Sequence, residues 1–150
     1  MPQHTYRTFA LMLAASFVVM YTVMFLNVDR LAHIYLSLTR TYMTLLMVAP
    51  MAVLMLVFMP HMYPDKARNT LILVSSALVF VLALLGLRTQ ALVTDEQYMQ
   101  AMIPHHSSAI MVSQQARLKD PELRQLAQDI IRAQEREIAQ MERIRARLKH

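Results

Sequence analysis

Three apolar runs set the limits on what this chain can fold into. Residues 8–26 (TFALMLAASFVVMYTVMFL), 41–62 (TYMTLLMVAPMAVLMLVFMPHM) and 70–88 (TLILVSSALVFVLALLGLR) carry no charge until Arg88 closes the third. A helix needs roughly 20 apolar residues to cross a bilayer, and each run is long enough. The first run could also be a signal peptide. Its leading segment offers only Arg7, and no small-x-small cleavage pattern follows, so a retained span is the expectation. The chain therefore reads as all-α. A membrane anchor with three transmembrane helices occupies 1–93, and a helical hairpin occupies 94–150.

The charge follows the same division. Up to Val93 there are six basic residues against two acidic ones; from Thr94 onward there are nine against eight. The basic balance belongs to the membrane flanks. No basic face with interleaved aromatics is present, so no nucleic-acid partner is expected. Cysteine is absent, which excludes disulfides and thiolate metal sites. A soft metal could be held only by methionine and histidine, of which there are fourteen and six. The single glycine, Gly86, leaves no phosphate-cradling loop.

Within the second run Met43, Met47, Met51, Met55 and Met59 recur at every fourth position. Such a row winds slowly around a helix, by about 40° per step. It suits ridge packing by an adaptable side chain, or a thioether track for Cu(I) together with Met20 and Met24. Pro50 removes a backbone donor in mid-span and is expected to kink the helix. Residues 27–40 (NVDRLAHIYLSLTR) read as a short interfacial connection, with His33 an interfacial histidine. His61, Met59 and Met62 fall in a membrane-edge turn that could also form a second soft site. Arg7, Lys66 and Arg68 lie on one side of the bilayer and Arg30, Arg40 and Arg88 on the other. The free amino terminus and Asp29 tip this near-balance toward an inside N-terminus. The inner or plasma membrane is the expected location, with the hairpin outside the cytoplasm.

Thr94-Asp95-Glu96-Gln97 has the form of a capping box, and the helix it opens should run to about Leu118, with a kink or break at Pro104 just before His105. Asp120-Pro121-Glu122 is a second helix start, with Asp as N-cap and Pro in the first helical position. The last helix should run almost to His150. At 100° per residue, Met99, Met102, His106, Ile110 and Ser113 share a face of the first helix, and His105 lies about 60° off its edge. Leu123, Ala127, Ile130, Ile138, Met141, Ile144 and Leu148 share a face of the second, with Gln134 and Glu137 as polar intrusions. Folding the hairpin near Lys119–Asp120 sets Met99 against Met141, Met102 against Glu137 and Ile138, and His106 against Gln134. Sulfur, imidazole and one carboxylate converge in that seam. Thioether with imidazole is a soft-to-borderline ligand set, suited to Cu(I) rather than to magnesium, calcium or manganese.

The segments MIPHHSSAI (102–110) and IIRAQEREIAQM (130–141) resemble the domain of unknown function family 305, and with the anchor the chain is similar to that family's membrane-bound branch. The resemblance implies a helical, ferritin-like bundle and a role in copper handling outside the cytoplasm. It points to Met102, His105, His106 and Met141 as ligands. The family pattern places a methionine six residues after the second histidine, where this chain has Val112, with Met111 one residue earlier.

The expectation is a membrane-anchored protein that binds Cu(I) through Met99, Met102, His105, His106, Glu137 and Met141, in copper handling or tolerance. The lipid bilayer, a second copy of the chain and other copper-handling proteins are the expected partners. The alternative is a structural module without metal, in which hairpins pair into a four-helix bundle flanked by Arg132, Glu135, Arg136 and Glu142. A di-iron enzyme needs several inward carboxylates and Glu-x-x-His pairs, which are missing, so no enzyme activity is expected. Three spans without intramembrane charge also make a poor transport pathway unless they oligomerise.

Overall fold

The computed structural model describes residues 2–148, with side chains from Thr5 onward. It is all-α, with five helices and no strand among the described residues: α1 Pro2–Val23, α2 Leu38–Phe58, α3 Lys66–Thr89, α4 Asp95–Gln115 and α5 Pro121–Leu148. A single 3-10 turn, Leu31–His33, interrupts the connection between α1 and α2. Three helices are long and apolar enough to cross a membrane, over Thr5–Val23, Leu38–Phe58 and Lys66–Thr89. Their 19, 21 and 24 residues correspond to about 30 Å or more of helix. His150, toward which the last helix was expected to run, lies outside the described residues.

Two compact units result, and the chain passes between them more than once. The first comprises the described residues up to Val23 with Thr39–Leu92. Phe9, Ala52, Leu56 and Tyr63 form its buried cluster, with Met55 packed against it. Tyr6 ties the start of α1 to the start of α3. Its hydroxyl donates to Asn69 Oδ1 at 2.8 Å and accepts from the Asp65 amide at 3.1 Å. Asp65 caps α3 by accepting from the Arg68 amide. At the other end of α3, Gly86 faces Tyr42, whose hydroxyl donates to the Ala91 carbonyl at 2.7 Å. Met43 and Met47 lie exposed on α2, and Met59 is exposed just past its end, whereas Met55 packs inward. The methionine row therefore turns from the outside of the unit into its core, as a four-residue repeat on a 3.6-residue helix must. Met59 and Met62 are joined by a turn.

The second unit comprises Met24–Leu38 and the described residues from Val93 onward. Residues 24–38 pack with the hairpin, so they are more than an interfacial connection. The first helix ends at Val23 rather than near Leu26 because the following residues turn into this unit. Thr94 caps α4 and accepts from the Gln97 amide at 3.4 Å. The reciprocal half of the expected capping box is diverted, since Gln97 Oε1 accepts from the Leu38 amide at 2.8 Å. Asp120 caps α5 through the Leu123 amide at 2.8 Å. Both helices containing an internal proline are continuous: Pro50 stands within α2 and Pro104 within α4, without a break. Pro104 is fully buried, so packing offsets the backbone donor that it lacks.

Candidate metal centre in the hairpin seam

Helices α4 and α5 run antiparallel, with Glu96 near Arg145 at one end and His106 against Glu137 further along. The buried cluster between them is Met99, Ile103, Ile110 and Ile138, and Met141, Ile131, Ile144 and Tyr35 pack on it. Met99 and Met141 thus meet in one cluster, as the helical register requires. Ile103, 0% exposed, is the centre of this seam. It shares the face of Met99 and His106 but carries no donor atom.

His106 is buried, and both ring nitrogens are engaged. Nδ1 lies 2.9 Å from the Met102 carbonyl oxygen, and Nε2 lies 2.6 Å from Glu137 Oε2. The partner is Glu137 rather than the expected Gln134. Helical side chains lean toward the N-terminus of their own helix, so each covers the turn before its Cα. In an antiparallel pair both leans act together, and a carboxylate three residues further along α5 reaches the imidazole. A carbonyl can only accept, so Nδ1 is the donor in the contact with Met102, and Nε2 is the nitrogen turned to the Glu137 carboxylate. Glu137 is otherwise open to solvent, its side chain 54% exposed. Met102 is half-buried one turn before His106. His105 is exposed, with its ring centroid 6.2 Å from that of His106, and it does not line the seam. Among the described residues no three His, Asp or Glu side chains are grouped to hold a metal ion. A metal in this seam would therefore have to draw on methionine sulfur.

The two serines after the histidines serve a different purpose. Ser107 is 0% exposed. Its Oγ accepts from the Asp29 amide at 2.8 Å and stands 2.9 Å from His33 Nδ1. Ser108 Oγ accepts from Asn27 Nδ2 at 2.6 Å. Residues 24–38 are thus fastened onto α4, and His33, expected at an interface, is buried. Tyr35 packs under Arg145, whose guanidinium carbon lies 4.1 Å from the ring centroid, a cation–π contact. Sequence reasoning missed this set. The available signal was the pair of consecutive mid-helical serines, which are weak helix formers that seek partners of their own.

Residues 83–145 match the family described as Domain of unknown function (DUF305). An uncharacterized protein of Acanthamoeba polyphaga mimivirus is 41% identical over 138 residues, covering 89% of this chain and 88% of that protein. That similarity extends well beyond the family domain, into the part of the chain that holds the apolar helices. No solved structure matches the chain. With the relative aligned along nearly its whole length and the family domain placed on the hairpin, the chain belongs to the DUF305 family.

Proposed function

We propose that this protein is a membrane-anchored Cu(I)-binding protein whose hairpin, outside the cytoplasm, takes the ion into the α4–α5 seam. The observation that carries this is the placing of a buried imidazole in the seam where Met99 and Met141 pack together. The donor chemistry fits. Thioethers and imidazole suit Cu(I), no thiolate competes, and Met102 stands one helical turn from His106. His106 Nε2 would be the nitrogen ligand, because Nδ1 is committed to the Met102 carbonyl. Glu137 would leave Nε2 and swing into the solvent that it already touches. His105, exposed beside the site, would be the outer imidazole that meets the ion first.

The test is Cu(I) titration of the full chain in detergent, because residues 24–38 pack on the hairpin and an excised hairpin would lose them. Selective Cu(I) uptake that is lost in the Met102→Ala/His106→Ala variant, with Zn(II) and Cu(II) as controls, is the expected result. No uptake by folded protein, or uptake indifferent to that variant, refutes the proposal.

A second reading is favoured by a separate observation. Val112, Leu123 and Leu126 are exposed toward the turn end of the hairpin, and Ile138 is the one buried residue of α5 among those described. A second hairpin covering this face would give a four-helix bundle. That assembly should survive the double variant and yield to Leu126→Glu, read by light scattering in detergent.

A further inference from the structure

A second pair of imidazole and carboxylate lies across the same hairpin, and it is spaced differently from the first. His33 reaches it from the 3-10 turn Leu31–His33. Its side chain is 8% exposed, and Nδ1 is engaged by Ser107. Nε2 stands 4.0 Å from Glu142 Oε1. That gap is too long for a hydrogen bond, which closes at about 2.7–3.2 Å. It is close to what two ligands of one ion require. With metal–nitrogen and metal–oxygen bonds of about 2.0–2.2 Å at a tetrahedral angle, the two donors stand about 3.4 Å apart. Glu142 is half-exposed, so a small rotation of its side chain closes the difference.

The surroundings point the same way. His33 and Glu142 open on a pocket of about 180 Å³, whose other polar walls are Asp29, Arg30 and Glu135. The volume admits an ion with several waters, each of which takes about 30 Å³ in the liquid. No sulfur lines the pocket. Its donors are imidazole and carboxylate, a set for a borderline divalent ion and a poor one for Cu(I). Arg30 is turned to Asp29 at 3.5 Å and is itself largely exposed, so its charge is partly neutralised and screened. A metal on Nε2 requires the ring hydrogen on Nδ1, and Ser107 Oγ stands where it can accept it. Such an outer-sphere partner fixes ring orientation in histidine metal sites.

We propose that His33 and Glu142 bind a divalent cation of the zinc class, with water completing its shell. Two protein ligands is the number that the geometry supports, since no group of three is assembled among the described residues. This site uses no sulfur, borders the seam at Ile110 and Ile138, takes a carboxylate on the flank of α5 away from Glu137 and lies partly outside the family domain, because His33 precedes residue 83.

The experiment uses the full chain in detergent, stripped of metal by chelation and titrated with Co(II), whose visible absorption reports a tetrahedral nitrogen–oxygen site, followed by displacement with Zn(II). Wild type should develop the absorption and lose it to Zn(II). Glu142→Gln, at a half-exposed position, should weaken binding by about tenfold or more with an unchanged circular dichroism spectrum. Glu137→Gln should bind as wild type does. The proposal is overturned if folded wild-type protein takes up neither ion, if Glu142→Gln binds undiminished, or if Glu137→Gln is the variant that loses binding.

Discussion

Replacing Ser107 by alanine should release residues 24–38 from the hairpin without unfolding the hairpin. The serine is fully buried, and its hydroxyl serves the Asp29 amide at 2.8 Å and His33 Nδ1 at 2.9 Å. A hydrogen bond contributes about 1 kcal/mol net, and a buried polar group left without a partner costs about 1–3 kcal/mol. His33 remains beside Glu142, and Asp29 lies nearer the surface, so the lower part of that range applies. The sum is about 2–3 kcal/mol, lost locally. Each 1.4 kcal/mol is tenfold, so amide exchange in 24–38 should quicken by roughly 30- to 150-fold. Hydrogen–deuterium exchange with peptide resolution measures this in the intact chain. Ser108→Ala is the internal control. It removes an exposed side-chain bond to Asn27, and its effect should stay below about fivefold. The Ser107→Ala/His33→Ala double variant should cost less than the two single variants together, as residues sharing one hydrogen bond do. If exchange in 24–38 is unchanged in Ser107→Ala, or if Ser108→Ala has the larger effect, the buried serine is not what fastens this segment.

Gly86→Ala should destabilise the first unit by about 1–3 kcal/mol, because a Cβ there would stand 2.9 Å from two ring carbons of Tyr42, whose hydroxyl tethers it to Ala91. Tyr42→Leu should recover part of the loss in thermal midpoint, and a Gly86→Ala protein as stable as wild type would refute this. Tyr6→Phe keeps the ring on Tyr63 but loses the bonds to Asn69 and Asp65, so a loss of about 1–2 kcal/mol in detergent unfolding is expected; a neutral outcome would show that solvent serves those groups equally well. Hydrogen bonds from Arg132 and then Gln125 hold the Asp129 carboxyl below its usual range, so its contribution to α5 is present above about pH 4 and lost as pH falls through the lowered value. Because Asp129 is exposed, the acid-range difference in helix content between wild type and Asp129→Asn should be small and should fade in high salt; a difference indifferent to salt would refute the assignment.

Much of this architecture is legible in the sequence for simple physical reasons. A bilayer-length helix must be apolar along its whole length, so α1, α2 and α3 announce themselves by composition. The hairpin announces itself by its caps, Thr94 and Asp120, and by the helical spacing of Met99, His106, Ile138 and Met141. Each of these signals is local or periodic. What the sequence leaves hidden is pairing across distance. Gln97 completes a capping box by pattern, yet it serves the Leu38 amide, 59 residues away. His33 and Ser107 are 74 residues apart, and no periodicity records that they meet. The same limit explains Glu137, where helical phase gave the face but the lean of the side chains decided the partner.

The four consecutive residues His105, His106, Ser107 and Ser108 show why a compact motif need not be one site. Successive positions on an α-helix turn by 100°, so four in a row point in four directions. Here His105 meets solvent, His106 meets α5 through Glu137, and Ser107 and Ser108 meet residues 24–38. Adjacent histidines on an unbroken helix are poorly placed to grip one ion from the same side. Helix α4 remains unbroken through Pro104. The chemistry of the motif therefore divides. One histidine faces the thioether seam, the other is left at the surface, and the first serine stands against a third histidine, His33, which faces Glu142 of α5. On this geometry His106→Ala and Glu142→Gln should impair uptake of different metals. A single variant that abolished both would mean that the two pairs are one site.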